Sequence, residues 1–131
     1  MPTSLVLNLQ QLTISKTNCV TELLPKRALE RAEYLDTYLV EHKKPVGPLH
    51  GLPISVKEHV GMKGLDWNGG FVAWVGKVAD KDAHILRILW EAGAVFYVRS
   101  TQPQSLMHLE TSSNLYGYVE QMVMRVIGWT E

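Results

Sequence analysis

A single cysteine, Cys19, leaves this chain no internal disulfide and no cysteine-rich metal site, and it fits a reducing compartment. Charge of one sign is lacking too. Thirteen Lys and Arg balance thirteen Asp and Glu, and neither sign runs in a block. The electrostatic footprint of a DNA, RNA or anionic-lipid binder is therefore missing, so no nucleic-acid or membrane partner is expected. The first residues, MPTSLVLNLQ, have neither the basic segment nor the long apolar segment of a secretory signal, so a cytoplasmic location is the default expectation. No pair among His42, His50, His59, His84 and His108 shows the i, i+4 spacing with a helical Glu of a hydrolytic zinc site. Neither a phosphate loop nor GxGxxG occurs, so no metal and no cofactor is expected.

What is present is the composition of a globular protein: 46% hydrophobic and 20% charged residues in a chain of 131. That length suits one domain. Residues 17–23 read as a short strand. Pro25 suits a first helical turn, and Ala28, Leu29, Ala32, Leu35 and Leu39 recur at helical spacing, with Glu30, Arg31, Glu33 and Asp36 outside; a helix is expected over 25–42.

Pro45, Gly47, Pro48, Gly51 and Pro53 then forbid helix and lead into a strand over 52–58. Its period of two puts Leu52, Ile54 and Val56 on one face and Pro53, Ser55 and Lys57 on the other. Residues 59–78, with five glycines and with Trp67 and Trp74, read as a long structured loop of the kind that serves a site. A second helix follows, capped by Asp80 or Asp82, with Ile85, Leu86, Leu89 and Trp90 as its apolar face and Gly93 as a left-handed end. Ala94–Val98 is a continuous apolar run, as for a strand covered on both faces. Together these elements make an α/β pattern, with a mixed, mostly parallel sheet flanked by helices. Tyr118–Glu131 has apolar residues at helical spacing and no relation to that pattern.

A lysine at a strand end is ordinarily a solvated charge. Lys57 stands out through its frame, between a Pro/Gly-rich and a Gly/Trp-rich loop, where a partly dry amine can serve as a base. Ser112 and Ser113 are flanked by Thr111 and Asn114 rather than glycines, and read as turn chemistry. Trp67, Trp74 and Trp90 read by default as core aromatics.

The frame around Lys57 also carries a resemblance. GPLHGLPISVKE (Gly47–Glu58) resembles the amidase-signature segment that ends in that family's catalytic lysine. DAHILRILWEAGAVFYVRSTQPQ (Asp82–Gln104) and SLMHLETSSNLYG (Ser105–Gly117) follow in the family's order, and the whole is most similar to the fungal acetamidase-type branch. The resemblance implies a partial amidase-signature fold: residues 1–117 as the N-terminal part of an amidase domain, truncated, and 118–131 as a divergent tail. It implies hydrolysis of a carboxylic amide through an acyl-enzyme, with one serine attacking, a second relaying the proton and a lysine receiving it. Lys57 matches that catalytic lysine; Glu58 stands where aspartate is usual.

The glycine–serine segments that hold the family's two serines do not occur in this sequence, so the chain is expected to be inactive by itself. Its partner in a complete enzyme would be a small-molecule amide. The alternative expectation is a non-catalytic fragment that docks on a full-length amidase, and exposed sheet edges imply self-association.

Overall fold

In a computed structural model, residues 17–119 form a small mixed α/β unit. Strand β1 (Val20–Leu23) leads through Leu24 into helix α1 (Pro25–His42). Pro25 occupies the first helical turn, where its missing N–H costs nothing, and Lys43 ends the helix in a left-handed conformation with its N–H on the Leu39 carbonyl at 3.0 Å. Strand β2 (Pro53–Lys57), helix α2 (His84–Glu91) and strand β3 (Val95–Ser100) follow, then a short hairpin of β4 (Ser112–Ser113) and β5 (Gly117–Tyr118). The helical spacing read over the tail lies, beyond Val119, outside the described residues.

The main sheet has the order β1–β3–β2, with β1 antiparallel and β2 parallel to the central β3. The apolar run expected to be covered on both faces is this central strand, where Val95, Phe96, Val98 and Arg99 are buried. Ile54 pairs with Phe96 but Ser55 with Val98, so Tyr97 is an extra residue, a bulge that re-aims the side chains after it. The core joins Leu24, Val56, Met62, Leu86, Ala94 and Phe96 beneath the helices, with Ile54, Leu65 and Leu89 packed against it.

Both helices depart from their expected faces. In α1, Leu29 and Leu39 are exposed while Arg31, expected outside, is only 6% exposed. The cause is the C-terminal end of α2. The Arg31 guanidinium donates to the carbonyls of Trp90 and Ala94 and lies 4.0 Å from the Trp90 ring centre. It thereby adds a second donor to the Trp90 carbonyl, which also accepts the Gly93 N–H at 3.0 Å, supplies one to the Ala94 carbonyl, and stacks on an aromatic face. Burial lowers its pKa from the ordinary arginine value.

In α2 only Leu86 of the expected apolar face is fully buried, and Ile85 is exposed. The residue before the helix is Ala83, without a side-chain cap. Asp82 instead accepts the Lys63 N–H at 2.7 Å, so its carboxylate ties down the 59–78 loop rather than the helix.

The Pro/Gly-rich segment packs on the α2–β3 connection. Leu49 and Gly51 donate to the carbonyls of Ala92 and Gly93, both at 2.9 Å, and Val95 donates to Leu52 at 2.9 Å. Gly93 has φ 100°, as expected of a left-handed end, and a Cβ there would lie 2.7 Å from the His50 Cα. These contacts fix where β2 starts.

Candidate active site

Lys57 closes β2 opposite Ser100 of β3, and its side chain is exposed while Ile54 and Val56 turn toward the core. Among the described residues its amino group has neither a hydrogen bond nor an ion pair. Its carbonyl accepts the Val60 N–H at 3.0 Å, which turns the chain immediately after the strand.

The next residue, Glu58, follows the alternation inward and is 1% exposed. One carboxylate oxygen accepts the Asn68 N–H at 2.7 Å. The other accepts the Gly69 N–H at 2.9 Å and Nε2 of Gln102 at 2.8 Å. A buried carboxylate needs such donors, and here three converge on it. Arg99, also 1% exposed, completes the cluster. Its guanidinium donates to the carbonyls of Glu58 and Asp66, reaches Glu22 at 3.1 Å and lies 3.8 Å from the Glu58 carboxylate. Sequence reasoning did not single out Arg99, Gln102 or Asn68.

His59 opens the 59–78 loop, two residues beyond Lys57. Burial first, and then the Lys57 charge, lower its pKa below the ordinary histidine value, against the opposing pull of Glu58. Its backbone carbonyl accepts Nε1 of Trp67 at 2.6 Å. The loop aromatics pack on a cation: Nζ of Lys77 lies 4.8 Å from the Trp67 ring centre and 4.2 Å from that of Trp74.

Asn68 links this region to the β4–β5 hairpin through the Tyr116 hydroxyl at 2.7 Å, and burial raises the pKa of that phenol, so it stays protonated. In the hairpin, the Ser113 hydroxyl accepts the Tyr116 N–H at 3.1 Å. Ser112 and Ser113 thus form a turn-closing strand. A groove of about 900 Å³ lies elsewhere, between the helices, lined by Arg27, Arg31, Tyr34, Met62, Leu86 and Trp90; Lys57 is not part of it.

These elements have counterparts in known proteins. The amidase family model matches residues 3–122. An acetamidase of Emericella nidulans is 46% identical over 101 residues, which are 77% of this chain and 18% of that protein. An acetamidase of Aspergillus oryzae is 45% identical over 100 residues, 76% of this chain and 18% of its own length. Among solved structures, a fatty acid amide hydrolase superposes with a TM-score of 0.79 at 42% identity, covering 83% of this chain and 19% of that one. The chain belongs to the amidase family, a family of hydrolases. It spans about a fifth of the length of these relatives. Among the described residues no helix is long and apolar enough to cross a membrane.

Proposed function

We propose that this chain carries the proton-accepting lysine, Lys57, of an enzyme that hydrolyses small linear carboxylic amides to the acid and ammonia. The reading rests on Lys57 itself. It ends a strand inside the family-matched region, its amino group is unengaged among the described residues, and the backbone beyond it is tied down on both sides. An alcohol nucleophile at neutral pH needs a base to take its proton as it attacks the carbonyl carbon. The Lys57 amine receives that proton through a relay hydroxyl and returns it to the departing nitrogen when the C–N bond breaks. Water then cleaves the acyl ester, regenerating the nucleophile. That two relatives are acetamidases supports an acetamide-like substrate for the complete enzyme.

The 131-residue chain contains no Gly-Gly-Ser segment, so by itself it is expected to release no ammonia from acetamide or benzamide. Turnover by the chain that vanishes in Lys57→Ala would overturn that expectation. The role of Lys57 is tested by grafting residues 17–119 in place of the matching segment of the Emericella nidulans acetamidase. The graft is expected to hydrolyse acetamide, and Lys57→Ala within it to lose about 100- to 10,000-fold in kcat. Retained activity in that variant would remove Lys57 from the chemistry. A second reading, a non-catalytic fragment docking on a full-length amidase, draws on β1 and β2, each paired on one side only among the described residues. Co-purification with a full-length family member would favour it.

A further inference from the structure

The geometry points to Glu58 as the positioning residue of Lys57: its buried carboxylate locks the end of β2, the Asn68–Gly69 turn and Gln102 into one unit from which the lysine projects. This inference rests on the reading of Lys57 as the working base. Glu58 would touch neither substrate nor reacting atoms.

Three observations carry it. First, the backbone of Glu58 is held at both ends: its N–H donates to the Ser100 carbonyl at 2.9 Å, and its own carbonyl accepts from Arg99. Lys57 is thereby left with its side-chain torsions as its main freedom. Second, the carboxylate gathers donors from two segments far apart in sequence, Asn68 and Gly69 on one side and Gln102 on the other. The 68–70 turn is in turn clasped to the segment after Pro103, because Ser105 donates to the Gly69 carbonyl at 3.0 Å. Third, the arrangement needs an anion with two acceptor oxygens. A glutamine at 58 would turn its NH₂ against either the Asn68 N–H or the Gly69 and Gln102 donors, whichever way the amide faced. An aspartate, one methylene shorter, keeps both acceptors but reaches less far.

The test uses the 131-residue chain and measures Lys57 directly. Trace acetylation with acetic anhydride at fixed pH, read by peptide mass spectrometry, gives the rate at Lys57 relative to Lys26, whose side chain is 88% exposed. Amide hydrogen exchange at Asn68 and Gly69 is followed in parallel. Glu58→Gln is expected to change the Lys57/Lys26 ratio at least threefold and to speed exchange at the two amides at least tenfold. Glu58→Asp is expected to fall between Glu58→Gln and the native chain. Leu35→Ala, which opens the core at a fully buried site on α1, serves as a destabilised control and is expected to leave the labelling ratio unchanged.

Should Glu58→Gln not fold, Glu58→Asp against Leu35→Ala decides by the same criteria. A native ratio in the folded Glu58 variant, or an equal change in Leu35→Ala, would overturn the inference. None of these readouts involves hydrolysis. A shifted ratio beside an inactive graft would therefore sink the amidase reading and keep the clamp, whereas an active graft with an unshifted ratio would sink the clamp alone.

Discussion

Replacing Gly93 by alanine tests the contact that sets where β2 begins. Two costs add at this position. The backbone has φ 100°, which an L side chain adopts at a cost of about 1–2 kcal/mol. The new Cβ would also lie 2.7 Å from the Cα and 2.9 Å from the N of His50, both backbone atoms that cannot swing away. Forcing packed backbone apart costs about 1–3 kcal/mol, so Gly93→Ala is expected to lose about 2–5 kcal/mol in all.

Gly76 supplies the control, since its φ is 82° and nothing lies within 4 Å of its Cβ direction. Gly76→Ala should lose only the conformational part, about 1–2 kcal/mol. Urea unfolding followed by tryptophan fluorescence gives both values, and their difference isolates the contact with the 47–51 segment. Equal losses in the two variants would mean that this segment does not press on Gly93, and the account of how β2 is placed would fail. Because Gly51 and Leu52 bond to Gly93 and Val95, a displaced segment would carry Lys57 with it.

Arg31→Met keeps the aliphatic stem but takes the guanidinium donor from the Ala94 carbonyl and leaves the Trp90 carbonyl to backbone N–H donors alone, and is expected to cost about 1–3 kcal/mol in thermal unfolding. A loss under about 0.5 kcal/mol would show that water serves those carbonyls as well. The lowered pKa of His59 means that the unfolded chain binds that proton more readily than the folded one. Stability from this group is complete above about pH 6.5 and falls as pH drops below it. Urea midpoints between pH 7.5 and 5 should show a slope that His59→Gln reduces, and NMR titration should find the His59 pKa higher in Lys57→Ala; an unmoved titration would deny that the two side chains sense each other. At micromolar concentration the chain should sediment as an oligomer, through edges of β1 and β2 that are unpaired among the described residues. A monomer with one cooperative melting transition would refute this.

The sequence made much of the frame legible, because period and breakers are local signals. Pro25 and the spacing after it located α1 to the residue, Gly93 marked its turn, and the alternation of Ile54, Val56 and Lys57 foretold which side chain leaves the core. The same alternation places Glu58 on the aliphatic face, where a carboxylate is itself the sign of a buried polar cluster. Arg99 and Gln102 were harder. Which way they face depends on the bulge at Tyr97, and a bulge is set by the pairing of two strands rather than by either alone. Arg31 reads as an outer-face charge until the end of another helix is brought against it. Asp82 reads as a cap until Lys63 arrives from the loop.

The loop between Asp66 and Val78 is organised in two halves with different obligations. Its base is committed: the bridge from Asp66 to Val78, the Trp67 indole on His59, and the N–H groups of Asn68 and Gly69 on Glu58 all belong to the sheet end. Its tip answers mainly to itself, with Lys77 laid over the two tryptophans and Phe71 against Trp74 at 4.6 Å between ring centres. A segment built this way behaves as an exchangeable cassette. Substitutions from Val72 to Val75 can accumulate while the four anchors at its root hold still, so a lineage could vary what this side of the protein presents without moving the lysine.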